Sequence, residues 1–425
     1  MSPCSSTSKP GGAGPARRPL KFAVLQLGAR MHYAVPALFK RAGMLQHFYT
    51  DAVGNLGLTG ALGRLLPSRL CPAPLRRLLG RRIPAEVSPA EVTTAQTLTV
   101  IDGLRHTVEG RPDLTEDVAP AWLRHRITLE NFRGANALYC LDPGDAKVVQ
   151  AAKQRGMFVV YEQIIAPQVG WILRDERSRF PDLEVQDSEQ LVAEGIRLEQ
   201  QIWKMADLIL APSDFVREGL AQLGAPAEKI GLVPYGVPDE WLAPIEAAPI
   251  PGRVLFVGGV GLRKGNHYLA EACRILAERG VAAEFRVVGG YDAQEITSPL
   301  FRGPTYVGQV PRSQVHEEFL RADVFAFPTL VEGFALSHLE AMACGLPVVT
   351  TPSCGPAVRD GQDGFVVAPR DARALADKLE AIITDRALRR RMSESARERA
   401  AGYSWGHYRR RLLDAVTEAE ARRAA

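Results

Sequence analysis

An α/β protein of two domains, each built on a parallel sheet, is the fold class this sequence predicts. Three observations predict it. Short apolar runs alternate with helical patterns along nearly the whole chain. The alternation restarts after a segment with three prolines, residues 239–252. The 425 residues exceed one ordinary core and suit two domains of roughly 200 residues each.

The first 20 residues are rich in Ser, Pro and Gly and lack the apolar core of a signal peptide, so they read as a disordered tail. KFAVLQLG, residues 21–28, reads as a strand that ends in Gly28. The loop GARMH follows, with Arg30 and His32 as its polar content, and then a helical pattern from Tyr33 to Ala42. Residues 63–82 hold six arginines (64, 69, 76, 77, 81 and 82), interleaved with leucines, and no acid. Such a stretch can lie on an anionic bilayer surface. It can equally be a solvated helical hairpin whose leucines join the core, and the prolines at 67, 72 and 74 break any long helix.

ANALYCL (135–141) and GMFVVYEQ (156–163) read as strands with a helix between them. DLILAP leads to Ser213, a helix, and the strand KIGLVPYG. After the proline-rich linker the same pattern returns in RVLFVGG, EFRVVGG, TYVGQV, ADVFAFPT and GFVVAP. Strands alternating with helices argue for parallel sheets covered on both faces. Ligands of such sheets bind beyond the carboxyl ends of the strands. The final stretch, SWGHYRRRLLDAVTEAEARR, is a charged helix with an amphipathic first half that can cap either domain.

A net charge of +4 gives no argument for a nucleic-acid partner. The six cysteines form no CxxC and no His/Cys cluster with metal spacing, which fits reduced thiols in a cytoplasm. No apolar run reaches the roughly 18 residues of a membrane span.

Two stretches carry candidate chemistry. In VLFVGGVGLRKGNHYLAEA, residues 254–272, a strand ends in Gly258-Gly259, and Gly261 and Gly265 flank Arg263-Lys264. Glycines let the backbone approach an anion, and adjacent cations can neutralise a diphosphate. The spacing is neither GxGxxG nor a Walker A sequence, and a tight turn with a solvated basic pair is the rival reading. In PTLVEGFALSHLEAMACG, Glu332 and Gly333 fall in a loop over a strand's carboxyl end. Helical periodicity starts near Ser337, and Ser337-x-x-Glu340 matches a capping box, a purely local role for Glu340. Against that role, Ala341, Ala343 and Gly345 are small residues that permit close approach of a ligand. Glu332 has no capping role to explain it. Two carboxylates beside a cation pair and a helix start match a nucleotide sugar: carboxylates accept from vicinal hydroxyls, and cations with N–H groups take the diphosphate. Charge that grows on a departing diphosphate would be stabilised by the same groups.

From about residue 21 to 415 the sequence resembles glycosyltransferase family 4, whose members have the GT-B fold. The most specific stretch is EGFALSHLE followed by AMACGLPVVTT. The resemblance implies two Rossmann-like doubly wound domains facing a central cleft, with a C-terminal helix that can cross back to the first domain. Together with the composition-based tail (1–20) and proline-rich linker (241–252), it implies an acceptor-binding domain (21–240), a nucleotide-sugar-binding domain (253–398) and a terminal helix (399–425). It implies that Glu332 contacts donor-sugar hydroxyls, that Glu340 contacts the ribose, and that Gly333 and the amides of Phe334, Ala335 and Leu336 lie near the diphosphate or sugar. Lys264 corresponds to the family's diphosphate lysine. The family arginine falls on Gly259, a departure for which Arg263 can supply the charge. Gly28 corresponds to the phosphate-facing glycine of the first loop, and Ser213 to a residue lining the cleft. Tyr235 stands where asparagine is usual, and Glu162 or Gln163 where many members have a histidine against the donor sugar.

The expected activity is retaining transfer of a hexose from a nucleoside diphosphate sugar, UDP or GDP foremost, to a glycan or lipid-linked glycan of the cell envelope or exopolysaccharide. Glu332, Lys264 and Arg263 would be its catalytic residues. No metal is expected and no Asp/Glu pair is placed for double displacement. The resemblance implies a front-face mechanism. The cysteine usage gives the expectation of cytoplasmic residence, and the arginine–leucine interleaving of 63–82 that of docking on the inner face of the cell membrane. A catalytically silent GT-B scaffold is the rival reading, supported by Gly259 and the missing histidine. An enzyme that epimerises or phosphorolyses its sugar fits EGFALSHLEAM poorly.

Overall fold

The computed structural model describes residues 18–57, 59–60, 78–109 (106–109 as backbone), 117–243, 247–355 and 357–424. Most of the basic segment, including Arg64, Arg69, Arg76 and Arg77, lies outside the described residues, as does most of the N-terminal tail. The chain divides into two compact units, residues 1–138 and 139–425.

In the first unit, strand β1 (Phe22–Leu25) leads through a turn into the helix Ala34–Arg41 and then β2 (Leu45–Thr50) and β3 (Val92–Thr94). β1 pairs parallel with β2, and β2 with β3. All four β1 residues are buried, and Phe22 stacks on Phe39 with centroids 4.3 Å apart. The helices Gln96–Glu109 and Val118–Leu129 follow. Asp102 joins them by accepting from the first two N–H groups of the second helix, Val118 at 3.0 Å and Ala119 at 2.8 Å. Those donors have no partner inside their own helix, so the carboxylate fixes the hairpin.

Strand β4 (Ala137–Cys140) spans the division point. In the second unit, β5 (Phe158–Glu162), β6 (Leu208–Ala211) and β7 (Ile230–Leu232) pair parallel in that order. A second sheet holds β8 (Arg253–Val257), β9 (Glu284–Val288), β10 (Thr305–Gly308), β11 (Val324–Phe327), β12 (Val348–Thr350) and β13 (Gly364–Val366). Its order is β10-β9-β8-β11-β12-β13, with every pairing parallel. The chain runs outward from β8 to β10 and returns on the other side at β11, which makes the β8/β11 boundary the switch point of a doubly wound sheet. Phe256 and Phe325 both stack on Phe327 in its core, at 5.2 and 5.8 Å.

The C-terminal helix Trp405–Ala424 returns to the β5–β7 sheet, as expected. Val237 donates to the Tyr403 carbonyl at 2.7 Å, Arg411 Nη2 to Pro234 O at 2.9 Å, and Arg423 Nη2 to Gly156 O at 2.8 Å. Among the described residues no helix is long and apolar enough to cross a membrane.

Candidate active site

Two loops leave the β8/β11 switch point side by side. One runs from Gly258 to Gly265 into the helix Asn266–Glu278; the other runs from Pro328 into the helix Leu336–Ala343. Gly265 joins them. It has φ +69°, and a Cβ there would lie 2.0 Å from the Pro328 carbonyl, so only glycine allows this approach. The Arg263 carbonyl then accepts from Leu330 N at 2.9 Å and Thr329 Oγ1 at 3.0 Å.

This docking brings the three sequence-predicted catalytic residues together. The Glu332 carboxylate oxygen Oε1 accepts from both Arg263 Nη1 and Lys264 Nζ. Glu332 N–H is anchored on Ser353 O at 2.9 Å, and Arg263 Nη1 also reaches Val331 O at 3.2 Å. Lys264 Nζ sits 4.8 Å above the Phe327 ring. Burial pushes the Lys264 ammonium below the usual lysine range, and Glu332 pulls it back up. The result is a half-buried clasp of two cations on one carboxylate. It can bind a diphosphate through the cations and accept from hydroxyls through the carboxylate.

Gly333 follows, and a Cβ there would lie 1.9 Å from Ile164 O, just beyond β5. Its carbonyl accepts from Ser213 Oγ at 2.6 Å, and Ser213 Oγ in turn caps the helix Asp214–Gln222 by accepting from Val216 N at 3.3 Å. Ser213 therefore supports the loop from below. Phe334 packs against Tyr235 and Tyr403, with centroids 5.9 and 6.0 Å away.

The expected capping box is not formed. The N-cap of Leu336–Ala343 is Ala335, with no side-chain cap, and Ser337 lies inside the helix. The helix starts one residue before Ser337, which is thereby past the position from which a hydroxyl can cap. Glu340 instead accepts from Arg312 Nη2 at 2.8 Å, and Arg312 stacks on Trp241 at 4.9 Å. Burial pushes the Glu340 carboxyl up, and Arg312 opposes the shift. His338 is a core residue. Its Nε2 lies 3.1 Å from Thr350 Oγ1, and burial lowers its pKa to about 3, which keeps it neutral.

Of the two residues at the family-histidine position, Gln163 faces inward. It donates to Glu199 Oε1 at 2.8 Å and accepts from Trp203 Nε1 at 3.0 Å. Glu162 accepts from the Tyr235 hydroxyl. At Gly259 a Cβ would meet nothing nearer than Gly290 O at 3.9 Å, so crowding does not account for its lack of a side chain. Gly28 belongs to the first unit, with φ +73°, and its N–H donates to Asp51 Oδ1 at 2.9 Å while Arg81 holds Asp51 Oδ2 at 2.6 Å. Arg312, Glu176 and Glu184 entered none of the sequence motifs. Each meets the site only across a sequence gap that no local pattern encodes. Among the described residues no group of three or more His, Cys, Asp or Glu is placed to hold a metal ion.

Residues 240–399, which contain both loops, match the family model described as "Glycosyl transferases group 1". WcaL of Escherichia coli K12, named for colanic acid biosynthesis, is 32% identical over 206 residues, 43% of this chain and 49% of that protein. The D-inositol 3-phosphate glycosyltransferase of Nocardia farcinica is 30% identical over 294 residues, 60% of this chain and 65% of that protein. The chain thus spans about half to two thirds of these curated relatives. Among solved structures, the sucrose-phosphate synthase of Thermosynechococcus elongatus aligns with TM-score 0.67 at 18% identity, covering 95% of this chain and 100% of that one. HepE of Anabaena, in complex with UDP and glucose, aligns with TM-score 0.63 at 17% identity, covering 94% and 100%. At these identities the structural likeness establishes the fold, two doubly wound parallel sheets of GT-B type. Over residues 240–399, the segment that carries both loops, the chain is similar to the glycosyl transferases group 1 family.

Proposed function

We propose that this protein is a retaining glycosyltransferase that moves a hexose from a nucleoside diphosphate sugar to a glycan or lipid-linked glycan in cell-envelope or exopolysaccharide synthesis. The observation that carries the reading is the Glu332 carboxylate clasped by Arg263 and Lys264 at the switch point of the β8–β13 sheet, inside the family-matched segment. A donor diphosphate takes over the two cations and frees Glu332 to accept from sugar hydroxyls. As the glycosyl–oxygen bond breaks, charge grows on the leaving diphosphate, and fixed, half-buried cations stabilise it without reorganising. Glu340, buried and already paired to Arg312, is the ribose ligand of this reading. Gly333, Phe334, Ala335 and Leu336 border the sugar and diphosphate, and Gly259 leaves room beside them.

A UDP-sugar is the leading donor, since HepE, which shares the fold, is solved with UDP-glucose. The names of WcaL, AmsK of Erwinia amylovora and CapM of Staphylococcus aureus refer to colanic acid, amylovoran and capsular polysaccharide, which supports a polymer acceptor. The acceptor is read as presented at the inner face of the cell membrane, with 63–82 as the docking segment. In the same unit, Val100, Ile101, Leu104, Trp122 and Leu129 are exposed on two helices, which supports a second apolar contact there. Flotation with anionic liposomes at low salt tests the docking; protein that stays at the bottom rules it out.

The donor reading is tested with purified protein. A thermal-shift screen of UDP-, GDP-, ADP- and dTDP-sugars should give one base with a clear rise in melting temperature. Hydrolysis of the radiolabelled donor should follow for wild type and be lost in Glu332→Ala. No donor binding by wild type would leave the scaffold reading in its place.

A further inference from the structure

The stretch 169–184 follows β5 and packs on the outer side of the cation loop. It opens with the helix Val169–Arg179. Within that helix Glu176 is a fully buried carboxylate, which needs several donors to persist. It has three: Tyr268 Oη at 2.7 Å and His267 Nε2 at 2.9 Å on Oε1, and Arg370 Nε at 2.6 Å on Oε2. Burial alone would raise its pKa; the three donors together hold it below the usual carboxylate range. His267 and Tyr268 are the second and third residues of the helix that follows the Arg263-Lys264 turn.

Two further contacts reach the same turn. Ile172 and Phe180 pack on the cluster of Tyr268, Leu330 and Ala372, and Leu330 donates to the Arg263 carbonyl at 2.9 Å. Glu184 Oε1 accepts from the Leu262 N–H at 2.8 Å, and its Oε2 is held by Arg177 Nε at 3.0 Å. Gly261, with φ +154°, lies against it: a Cβ there would be 3.2 Å from Glu184 Oε1. The turn that carries both cations is thus held at Leu262, at the helix start after it, and at Leu330 in the loop beside it.

We propose that 169–184 is a strap that fixes the Gly261–Lys264 turn for a nucleoside diphosphate, with Glu184 and Glu176 as its positioning residues. The proposal rests on the donor reading above. A turn bounded by two glycines has a pliable backbone, and the aim of Arg263 and Lys264 follows the aim of that backbone. Glu184 acts through the Leu262 peptide and Glu176 through the first turn of the next helix. Their effect falls on the diphosphate and spares the nucleoside.

Calorimetric titration of UDP, GDP and their nucleosides into the full chain tests this. Wild type binds one of the two nucleotides. Glu184→Ala weakens that nucleotide roughly tenfold, about the worth of one charge-assisted hydrogen bond, and leaves the weaker nucleoside binding unchanged. In turnover the donor KM rises while kcat is largely kept. Glu184→Gln, whose amide oxygen still accepts from Leu262 N–H, restores most of the affinity. Glu176→Gln gives the larger loss; if it fails to fold, the Glu184 pair decides alone. Wild-type nucleotide affinity in Glu184→Ala overturns the strap, and so does equal weakening of nucleotide and nucleoside, which marks general loss of structure. A wild type that binds neither nucleotide overturns the reading of a UDP- or GDP-sugar donor and the strap with it.

Discussion

The Tyr235 hydroxyl donates a hydrogen bond to the Glu162 carboxylate, and both side chains are buried. One residue follows β7 and the other ends β5. Tyr235 stands where the resemblance expects asparagine, and Glu162 is one of the two residues, with Gln163, at the expected histidine position. Tyr235 further packs edge-on against Phe334, in the loop that carries Glu332.

A double-mutant cycle measures that pair. Tyr235→Phe and Glu162→Gln should each destabilise the protein, and the double variant should cost less than their sum. The coupling expected for a buried hydrogen bond to a charged acceptor is about 1.5–3 kcal/mol. Strict additivity in urea unfolding would show that the two act independently. In donor screens both single variants should also shift the sugar preference, because Phe334 loses its fixed neighbour.

Glu332, paired with both Arg263 and Lys264, is expected to act as a stand-in anion that competes with a diphosphate for the two cations. Glu332→Gln leaves Arg263 and the buried Lys264 without their counter-charge, at a cost of about 1–3 kcal/mol. Inorganic pyrophosphate should then raise the melting temperature of Glu332→Gln more than that of wild type. Turnover should fall by about 100-fold or more if the carboxylate also orients the sugar. Equal stabilisation of both proteins by pyrophosphate would remove the stand-in role.

Gly259 gives a simpler check. With nothing within 3.9 Å of its Cβ position, Gly259→Arg should fold with a melting temperature within about 2 °C of wild type. It should tighten nucleoside diphosphate binding, measured by calorimetry, by roughly three- to tenfold. An unchanged or weaker affinity would mean that Arg263 already meets the need.

Much of this site was legible in the sequence, and the reason is local. Strand ends, glycines and adjacent charges mark the two loops, and a parallel sheet brings strand ends together whatever the side chains between them. Arg263, Lys264 and Glu332 were found this way. The cap at Ser337 was misplaced because the helix begins one residue earlier, and a capping box is only as good as its register. The partners of Glu340, Glu162 and Leu262 were not legible. Arg312, Tyr235 and Glu184 sit 28, 73 and 78 residues away; Arg312 and Glu184 are ordinary in their own neighbourhoods, and Tyr235, singled out by the resemblance, carries no local sign of its partner.

Arg312 should matter to stability as well as to ligand binding. Glu340 is buried, with burial raising its pKa and Arg312 holding it down. Arg312→Ala removes that counter-charge and the stacking on Trp241, so a loss of about 2 kcal/mol is expected at pH 8. At pH 5 the loss should be smaller, because the freed Glu340 carboxyl takes up a proton. Urea unfolding at the two pH values decides it, and a pH-independent loss would assign the effect to stacking alone.

Glu199, bonded to Gln163, makes the stability of this part of the protein depend on pH. It is buried in the helix Glu189–Met205, and burial pushes its carboxyl up to about 7, against the opposing bond from Gln163 and with a smaller push from Asp142. A carboxyl raised in the folded state keeps its proton where the unfolded chain, with an ordinary value near 4.3, has lost it. Between those two values the folded state binds more protons, so stability falls as pH rises, and the fall is complete above about pH 7. Glu199→Gln keeps the neutral shape, and its amide oxygen can still accept from Gln163 Nε2. The variant should match wild type closely near pH 5 and exceed it at pH 8, the difference growing by about 1–3 kcal/mol. Denaturation curves at pH 5, 6, 7 and 8 measure it, and a constant difference across that range would show that Glu199 is ionised throughout.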